Sequence, residues 1–284
     1  MPSPSSSPAI DASGKAWWHR AWVWLHQYGS PPVFYDFSRR WQTPSFVVFL
    51  LLAIPSIAYG LWLAPADYLQ GDSYRIIYIH VPAAWMSLMV YAFMAAQGAI
   101  ALIWRVRICE ILISAAAPIG AMFTAVTLLT GMIWGRPTWG TYWTWDARLT
   151  SQLVLLFLYL GVMALAAAYA DRRQGARAAA VLALIGVVNL PIIRYSVEWW
   201  NTLHQSATIR LIGPDTISGS MALPLWGMVL ATKFYFLAVL LLRARTLLVE
   251  QDRGKAWLRE RLGVSTGSDM AATARPDTGH GGTQ

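Results

Sequence analysis

The chain has 284 residues, of which 56% are hydrophobic and only 13% are charged, and its mean hydropathy is +0.43. This composition is too apolar for an ordinary soluble domain, so an integral membrane protein is the first interpretation. A single cysteine, Cys109, excludes an internal disulfide, a CxxC redox pair, a CxxCH motif and a cysteine-based zinc site. Any metal chemistry must therefore use histidine or oxygen ligands.

The net charge of +8 is compatible with a nucleic-acid partner, but the distribution of the basic residues argues against one. Most Lys and Arg residues fall in the N-terminal segment, the second and fourth loops and the C-terminal tail, whereas the odd-numbered loops hold few. By the positive-inside rule, both termini are predicted to be cytoplasmic and loops one, three and five to face the opposite side. Membrane lipid is the expected partner of these basic segments, and no nucleic-acid partner is expected.

In chain order, we predict a disordered tail over 1–16, a cytoplasmic interfacial segment over 17–41, a membrane domain over 42–245 and a largely disordered cytoplasmic tail over 246–284. No cleaved signal peptide is expected. Crossing a hydrocarbon core of roughly 30 Å takes about 20 helical residues. Apolar runs of this kind occur near 43–64, 80–103, 109–133, 149–170, 176–193 and 221–242. The predicted fold class is an all-α integral membrane protein with six transmembrane helices.

The third loop contains the stretch WGRPTWGTYWTWD, over 134–146, in which aromatic residues alternate with glycines and an acid closes the run. Tryptophan offers broad, rigid apolar area, and glycine lets the backbone turn sharply or come close to a ligand. An aromatic belt at the membrane surface is the alternative interpretation. Asp146 is a candidate cap for the following helix and can also hold an indole N–H. The residues of interest are Trp134, Gly135, Trp139, Gly140, Tyr142, Trp143, Trp145 and Asp146.

Two of the five histidines, His80 and His204, fall in the predicted loops on either side of this tryptophan-rich stretch. His80 lies in YIHVPAAW, where Pro82 is tolerated in a first helical turn. His204 lies in EWWNTLHQS, and Trp200 is one helical turn away if that segment is helical. Two neutral imidazoles beside an aromatic platform can be the axial ligands of a haem iron. A structural role for each histidine remains the alternative.

Cations for the carboxylates of such a ligand are available on the same side, because guanidinium matches carboxylate in a bidentate way. The five candidates are Arg75, Arg136, Arg148, Arg194 and Arg210. Lys233 lies near the middle of the sixth predicted span, where a charge costs roughly 3 kcal/mol. We expect it to have a structural partner rather than a transport role.

The segment 134–161 resembles the WWD signature of the haem-handling proteins of cytochrome c biogenesis. Within that group the chain resembles the cytochrome c maturation protein C family, also called haem exporter protein C. The resemblance covers about 25–245 and includes YIHVPAAW and EWWNTLHQ. The ending DARLTS separates it from the WWD proteins of the other maturation system, which typically read DPKE there. Tyr142 departs from the pattern, since relatives often carry tryptophan.

The resemblance implies that the chain binds haem b on the far-side WWD loop, predicted over 134–150, with His80 and His204 as axial ligands. Trp134, Trp139, Trp143, Trp145 and Asp146 are its signature residues, and Arg148 in the same motif is our candidate for a propionate contact. We add Gly135, Gly140, Tyr142 and Trp200 as further haem-binding candidates.

The resemblance also implies the partners. Haem would be presented on the periplasmic side of a bacterial inner membrane to the haem chaperone, cytochrome c maturation protein E. An ABC transporter of the A and B components, joined by a small D subunit, would supply the energy from ATP. The chain itself would be a haem-transfer subunit and not an enzyme.

Two other functions fit the same residues. An electron-transferring b-type cytochrome is the first alternative, although such proteins usually bind haem between helices, often through histidines on facing spans. A structural membrane subunit with an aromatic belt and no ligand is the second.

Overall fold

The computed structural model describes residues 29–204 and 217–263, and within these ranges it is built from helices, with one isolated β-bridge between Asp67 and Gly71. Six helical segments are long and apolar enough to cross a membrane. Helices suit that environment because they satisfy every backbone hydrogen bond within the segment. The predicted all-α membrane fold with six spans is confirmed. The segments are Pro31–Leu63, Asp72–Trp104, Arg107–Trp139, Ala147–Ala168, Arg172–Trp199 and Gly219–Gln251.

Eight α-helices make up these segments and a short C-terminal addition. They are α1 (Pro31–Ala58), α2 (Ile77–Trp104), α3 (Arg107–Trp139), α4 (Ala147–Ala168), α5 (Arg172–Gly186), α6 (Asn189–Trp199), α7 (Gly219–Gln251) and α8 (Ala256–Leu262). A π-helical turn, Tyr59–Leu63, continues α1, and a 3-10 turn, Asp72–Ile76, leads into α2.

The helices are longer than the predicted spans. The first begins at Pro31 rather than near 43, because two prolines follow Ser30 and proline is well suited to the first helical turn. The third continues to Trp139, so the first half of the tryptophan-rich stretch is helical and only residues 140–146 connect α3 to α4. The predicted tail over 1–16, residues 17–28 of the interfacial segment and residues 264–284 of the C-terminal tail lie outside the described residues.

The fifth predicted span, 176–193, is divided into two helices by a turn at Val187 and Val188. Asn189, at the start of α6, is buried and donates a side-chain hydrogen bond of 2.9 Å to the carbonyl oxygen of Ser151. A polar side chain in the bundle core is thereby satisfied. The break lets α6 run beside α4 toward the loop that contains His204.

Helices that are neighbours in the chain pack together, α2 against α3 and α4 against α5, while α1 packs against α7 and so brings the first and last spans together. We call the end of the bundle at which α2, α4 and α7 begin the site end, and the other the opposite end. Buried polar side chains cross-link the interior: Gln152 donates to the Ser87 hydroxyl at 2.9 Å, and the Tyr159 hydroxyl donates to the Ser87 carbonyl at 2.7 Å. These bonds fix α2 and α4 side by side.

Candidate functional site

A cavity of about 560 Å³ lies between α2, α3, α4, α6 and α7. Its walls are mostly apolar, and its volume is within the usual range for small-molecule and cofactor sites. Both predicted ligand histidines, His80 and His204, line it. So do Trp134, Trp139 and Arg148. The fold therefore brings together five residues that are up to 124 positions apart in the sequence.

His80 lies in the first turn of α2 and is held against α3. Its Nδ1 atom lies 3.0 Å from the hydroxyl oxygen of Thr130, and its ring meets the Trp134 indole edge-on at 5.6 Å between centroids. A Cβ atom at Gly131 would lie 3.1 Å from the imidazole Cε1, so a larger residue there would displace the imidazole by a few tenths of an ångström. Three residues of α3, Thr130, Gly131 and Trp134, thus hold the imidazole in place.

The hydrogen bonds of Thr130 decide which nitrogen of His80 is protonated. The Thr130 hydroxyl donates its hydrogen to the Val126 carbonyl at 2.6 Å, so it accepts from His80. This network assigns the proton of a neutral imidazole to Nδ1. The Nε2 lone pair of His80 is then free to bind a metal.

His204 is oriented by Asp146 in the same manner. Its Nδ1 atom lies 3.1 Å from Asp146 Oδ2, and both side chains are largely buried. The other carboxylate oxygen of Asp146 accepts from the Leu149 backbone N–H at 2.8 Å and so caps α4. Trp139 packs edge-on against the His204 ring at 4.7 Å between centroids. The expected capping role of Asp146 is confirmed, and its second partner is a histidine rather than an indole.

The pKa values of this pair follow from burial and hydrogen bonding. Burial acts to raise the pKa of Asp146, but hydrogen bonds from the Leu149 N–H, Thr202 and His204 outweigh it and lower the pKa below its ordinary value. Burial lowers the pKa of His204, although Asp146 offsets part of the effect. At neutral pH the aspartate is therefore ionised and accepts the Nδ1 proton, which leaves Nε2 of a neutral His204 unprotonated.

The two histidines form a matched pair. Each has Nδ1 occupied by an acceptor and Nε2 available, which is how proteins commonly orient imidazole ligands to metals. Within the described residues, no group of three or more His, Cys, Asp or Glu side chains could hold a bare metal ion. Two imidazoles suit an iron whose other four ligands come from a porphyrin.

The tryptophan-rich stretch has two parts with different environments. Trp134 and Trp139 belong to the last turns of α3 and line the cavity, and the Trp134 indole N–H donates to Gln70 Oε1 at 2.7 Å. Gly140 ends the helix with φ of +76°, a conformation that favours glycine. Beyond it, the chain turns away from the cavity.

Several predicted site residues do not line the cavity. Trp145 is 77% exposed, and Tyr142 and Trp200 are also exposed. Trp143 packs edge-on against Trp145 at 5.3 Å between ring centroids. Gly135, Gly140 and Asp146 support the site through the backbone or through His204 rather than by facing the cavity.

The five candidate arginines have different environments. Arg148 and Arg194 line the cavity. Arg194 lies 3.6 Å from Glu198, whereas Arg148 makes a 3.3 Å contact with the Ser196 hydroxyl and has no carboxylate within salt-bridge distance among the described residues. Arg75 is paired with Asp72, and the Arg136 guanidinium lies over the Tyr142 ring. Arg210 lies outside the described residues.

Sequence reasoning missed Thr130, Gly131, Gln70 and the contact between Asp146 and His204. A usable signal existed for Thr130 and Gly131, which precede Trp134 by four and three residues and so share its helix face. The contacts of Gln70 and of Asp146 with His204 join distant segments, and no local pattern indicates them.

Comparison with known proteins gives the family context. The sequence profile of the family described as heme exporter protein C matches residues 24–259. The heme exporter protein C of Escherichia coli K12 is 47% identical over 248 residues, which is 85% of this chain and 97% of that protein.

Two further relatives extend the range of organisms. The heme exporter protein C of Haemophilus influenzae is 44% identical over 239 residues, covering 84% of this chain and 97% of the relative. A putative cytochrome c biosynthesis ccmC-like mitochondrial protein of Marchantia polymorpha is 45% identical over 186 residues, covering 66% of this chain and 78% of the relative.

Proposed function

Since the chain belongs to the heme exporter protein C family, we propose that it binds haem b in the cavity between α2, α3, α4, α6 and α7. Its relatives support a haem-handling role in cytochrome c maturation. The observation that carries the specific proposal is the pair formed by His80 and His204. Both imidazoles border one cavity, and each is anchored through Nδ1 so that Nε2 is available.

The rest of the cavity suits the same ligand. Haem has two large apolar faces and two ionised propionates, and it needs flat hydrophobic contact together with a few cations. Trp134 and Trp139 supply broad apolar area, while Arg148 supplies a guanidinium without a competing carboxylate among the described residues. Haem is the cargo of this site, and the protein's own contribution is to bind and orient it.

We further propose that the site end faces the periplasm across a bacterial inner membrane. The positive-inside rule supports this orientation, because Arg105, Arg107, Arg172 and Arg173 cluster at the opposite end. The handover of haem to the chaperone E, and assembly with the A, B and D components, rest on the family resemblance. No enzymatic step by this chain is needed in this scheme.

The test is the absorption spectrum of the purified full-length protein. We expect a six-coordinate b-type haem in the unmodified protein, and His80→Gly or His204→Gly should lower haem content by about tenfold or more, because even losing a supporting residue typically costs 10- to 100-fold in affinity. Added imidazole should restore the six-coordinate spectrum by replacing the missing ligand. His280→Gly, near the C-terminus, is the matched control and should change nothing.

Unchanged haem content and spectrum in both site variants would refute the ligand assignment. The structure also keeps the b-type cytochrome alternative open, because the cavity lies between helices as in such proteins. Reversible electron transfer with a quinol, in the absence of any chaperone, would favour that alternative. Haem transfer to the chaperone that depends on both histidines would favour the proposal.

A further inference from the structure

The cavity extends well below the two histidines. Along α2 it is lined from His80 to Ala92, twelve residues or about 18 Å of helix at 1.5 Å per residue. On α7 the lining residues are Val229, Thr232 and Lys233. The cavity therefore has a second, inner end in the membrane-spanning part of the bundle, where Lys233 lines it with an exposed side chain.

Two aromatic contacts fix the depth of Lys233 relative to α2. Trp226 packs against Trp85 at 5.8 Å between ring centroids, and Phe236 packs against Phe93 at 5.6 Å. Lys233 is seven residues beyond the first contact and three before the second. It is therefore level with residues 90–92 of α2, with the Phe93–Phe236 pair beyond it toward the opposite end.

The ammonium group of Lys233 has no partner within the described part of the chain. The structure shows neither an ion pair nor a hydrogen bond for it, so the structural partner expected from the sequence is not found there. Snorkelling to either interface is difficult, because Lys233 is close to the middle of α7, fourteen residues from its start and eighteen from its end. A hydrocarbon core of roughly 30 Å centred on this helix extends about 15 Å on either side, beyond the reach of a lysine side chain. A charge at that depth costs roughly 3 kcal/mol in the absence of compensation.

The direction of the side chain points to the same cavity. Side chains on a helix lean toward its N-terminus, and α7 begins at the site end. Lys233 thus leans toward the level of His80 and His204. Around it the cavity is lined by aliphatic residues, among them Leu88, Met89 and Val229. Such surroundings fit a ligand with an apolar body and one anionic group.

We infer that Lys233 is the anion-binding residue of the inner end of the cavity, where it pairs with a carboxylate of the ligand whose metal is bound by the histidines. The inference rests on the proposed haem binding and adds a second cationic contact to Arg148. It accounts for an otherwise uncompensated charge in the middle of a membrane helix. The carboxylate of a haem propionate has the required chemistry.

The test compares two ligands and three proteins. Haem and its dimethyl ester, in which both carboxylates are esterified, are titrated into the full-length unmodified protein, Lys233→Met and Lys233→Arg. We expect Lys233→Met to weaken haem binding by about 10- to 100-fold, the range for a lost hydrogen bond to a charged group. It should leave binding of the dimethyl ester unchanged, and Lys233→Arg should stay close to the unmodified protein with both ligands.

The ratio of the two affinities separates a ligand contact from a structural effect. If Lys233→Met weakens both ligands equally, or weakens neither, the inference is wrong. Unchanged affinity for both ligands is also the result expected if Lys233 pairs with an acid of another protein. The thermal stability of Lys233→Met should not fall, because methionine at this depth removes an unfavourable charge.

Failure of this inference is distinguishable from failure of the proposed function. One outcome is a six-coordinate spectrum that depends on both histidines, together with a ratio of haem affinity to dimethyl-ester affinity that Lys233→Met does not change. This outcome would refute only the contact at the inner end. Absence of any histidine-dependent haem binding would refute the proposed function and the inference together.

Discussion

Charged side chains are paired differently at the two ends of the helix bundle. At the opposite end, Asp252 is completely buried and receives hydrogen bonds from the Arg107 guanidinium at 2.6 and 3.1 Å, from Lys255 at 3.0 Å and from the Trp257 indole at 3.1 Å. At the site end, Arg148 borders the cavity without a carboxylate partner among the described residues.

The difference shows two uses of charge in one bundle. The opposite end uses paired charges to join α3, the end of α7 and α8, and these contacts occupy both carboxylate oxygens of Asp252. At the site end, Asp146 orients His204 and caps α4. Changes at the opposite end should therefore affect stability, and changes at the site end should affect ligand binding.

The largest expected effect on stability is that of Asp252→Asn. Removing the charge leaves Arg107, which is 27% exposed and also donates to Gln251, without its bidentate ionic acceptor. The loss of hydrogen bonds to a charged group is expected to lower the free energy of unfolding by about 1.5–3 kcal/mol. Haem affinity of the folded fraction should stay the same. Thermal denaturation in detergent and haem titration measure the two quantities.

Asp36→Asn is the matched control at the same end. Asp36 pairs with Arg261 at 2.8 Å, but both side chains are about half exposed, so the pair contributes less than about 1 kcal/mol. If the two aspartate variants were equally destabilised, burial would not be the reason for the stability of this end.

The largest expected effect on binding, short of replacing a ligand, is that of Asp146→Asn. The amide oxygen can still cap α4, but the acceptor for His204 loses its charge and the imidazole loses its fixed orientation. Haem affinity should fall by about 10- to 100-fold with little loss of stability. Haem titration of the variant measures this. A large drop in melting temperature with unchanged affinity would contradict the distinction between the ends.

A smaller effect is expected for Gly131→Ala. The new methyl group would lie 3.1 Å from His80 Cε1, so the imidazole must move by a few tenths of an ångström. We expect a loss in haem affinity of several-fold, about 1 kcal/mol, from the displaced ligand. Gly219→Ala, where nothing lies within 4 Å of the new carbon, is the matched control. Equal effects of the two variants would argue against a role for Gly131 in placing His80.

The smallest effect concerns pH. Burial acts to raise the pKa of Asp252, but the hydrogen bonds and charges of Arg107 and Lys255 outweigh it and lower the pKa. Its stabilising contribution should be present above the unfolded value of about 4 and be lost as the pH falls through the lower folded value. Asp252→Asn should flatten the stability profile below about pH 5. An identical acid profile in both proteins would show that other carboxylates dominate it.

Much of the fold could be predicted because each span is a local property. A run of about 20 apolar residues indicates a transmembrane helix wherever it occurs, and all six runs coincide with helical segments. The helix ends were less predictable. The last turns of α3, through Pro137 to Trp139, follow Trp134, whose ring contacts with Tyr74 and His80 join residues that are distant in sequence.

The candidate site was only partly predictable. Chain topology was enough to select His80 and His204 from five histidines, because both fall in loops predicted on one side. The functions of Tyr142, Trp145 and Trp200 as haem contacts stay predictions, since these residues are exposed and do not line the cavity. Which aromatic side chain faces inward depends on the turn after Gly140, and a run of tryptophans does not encode that direction.

The sequence by itself determined the membrane class, the six spans, the histidine pair and the family, because these follow from composition, periodicity and contiguous motifs. Only the tertiary structure decided that the histidines share one cavity, that Thr130 and Asp146 leave their Nε2 atoms available, and that Lys233 lies at the inner end. Contacts between separate helices depend on the relative depth and rotation of each helix, and these are set by packing rather than by any local pattern.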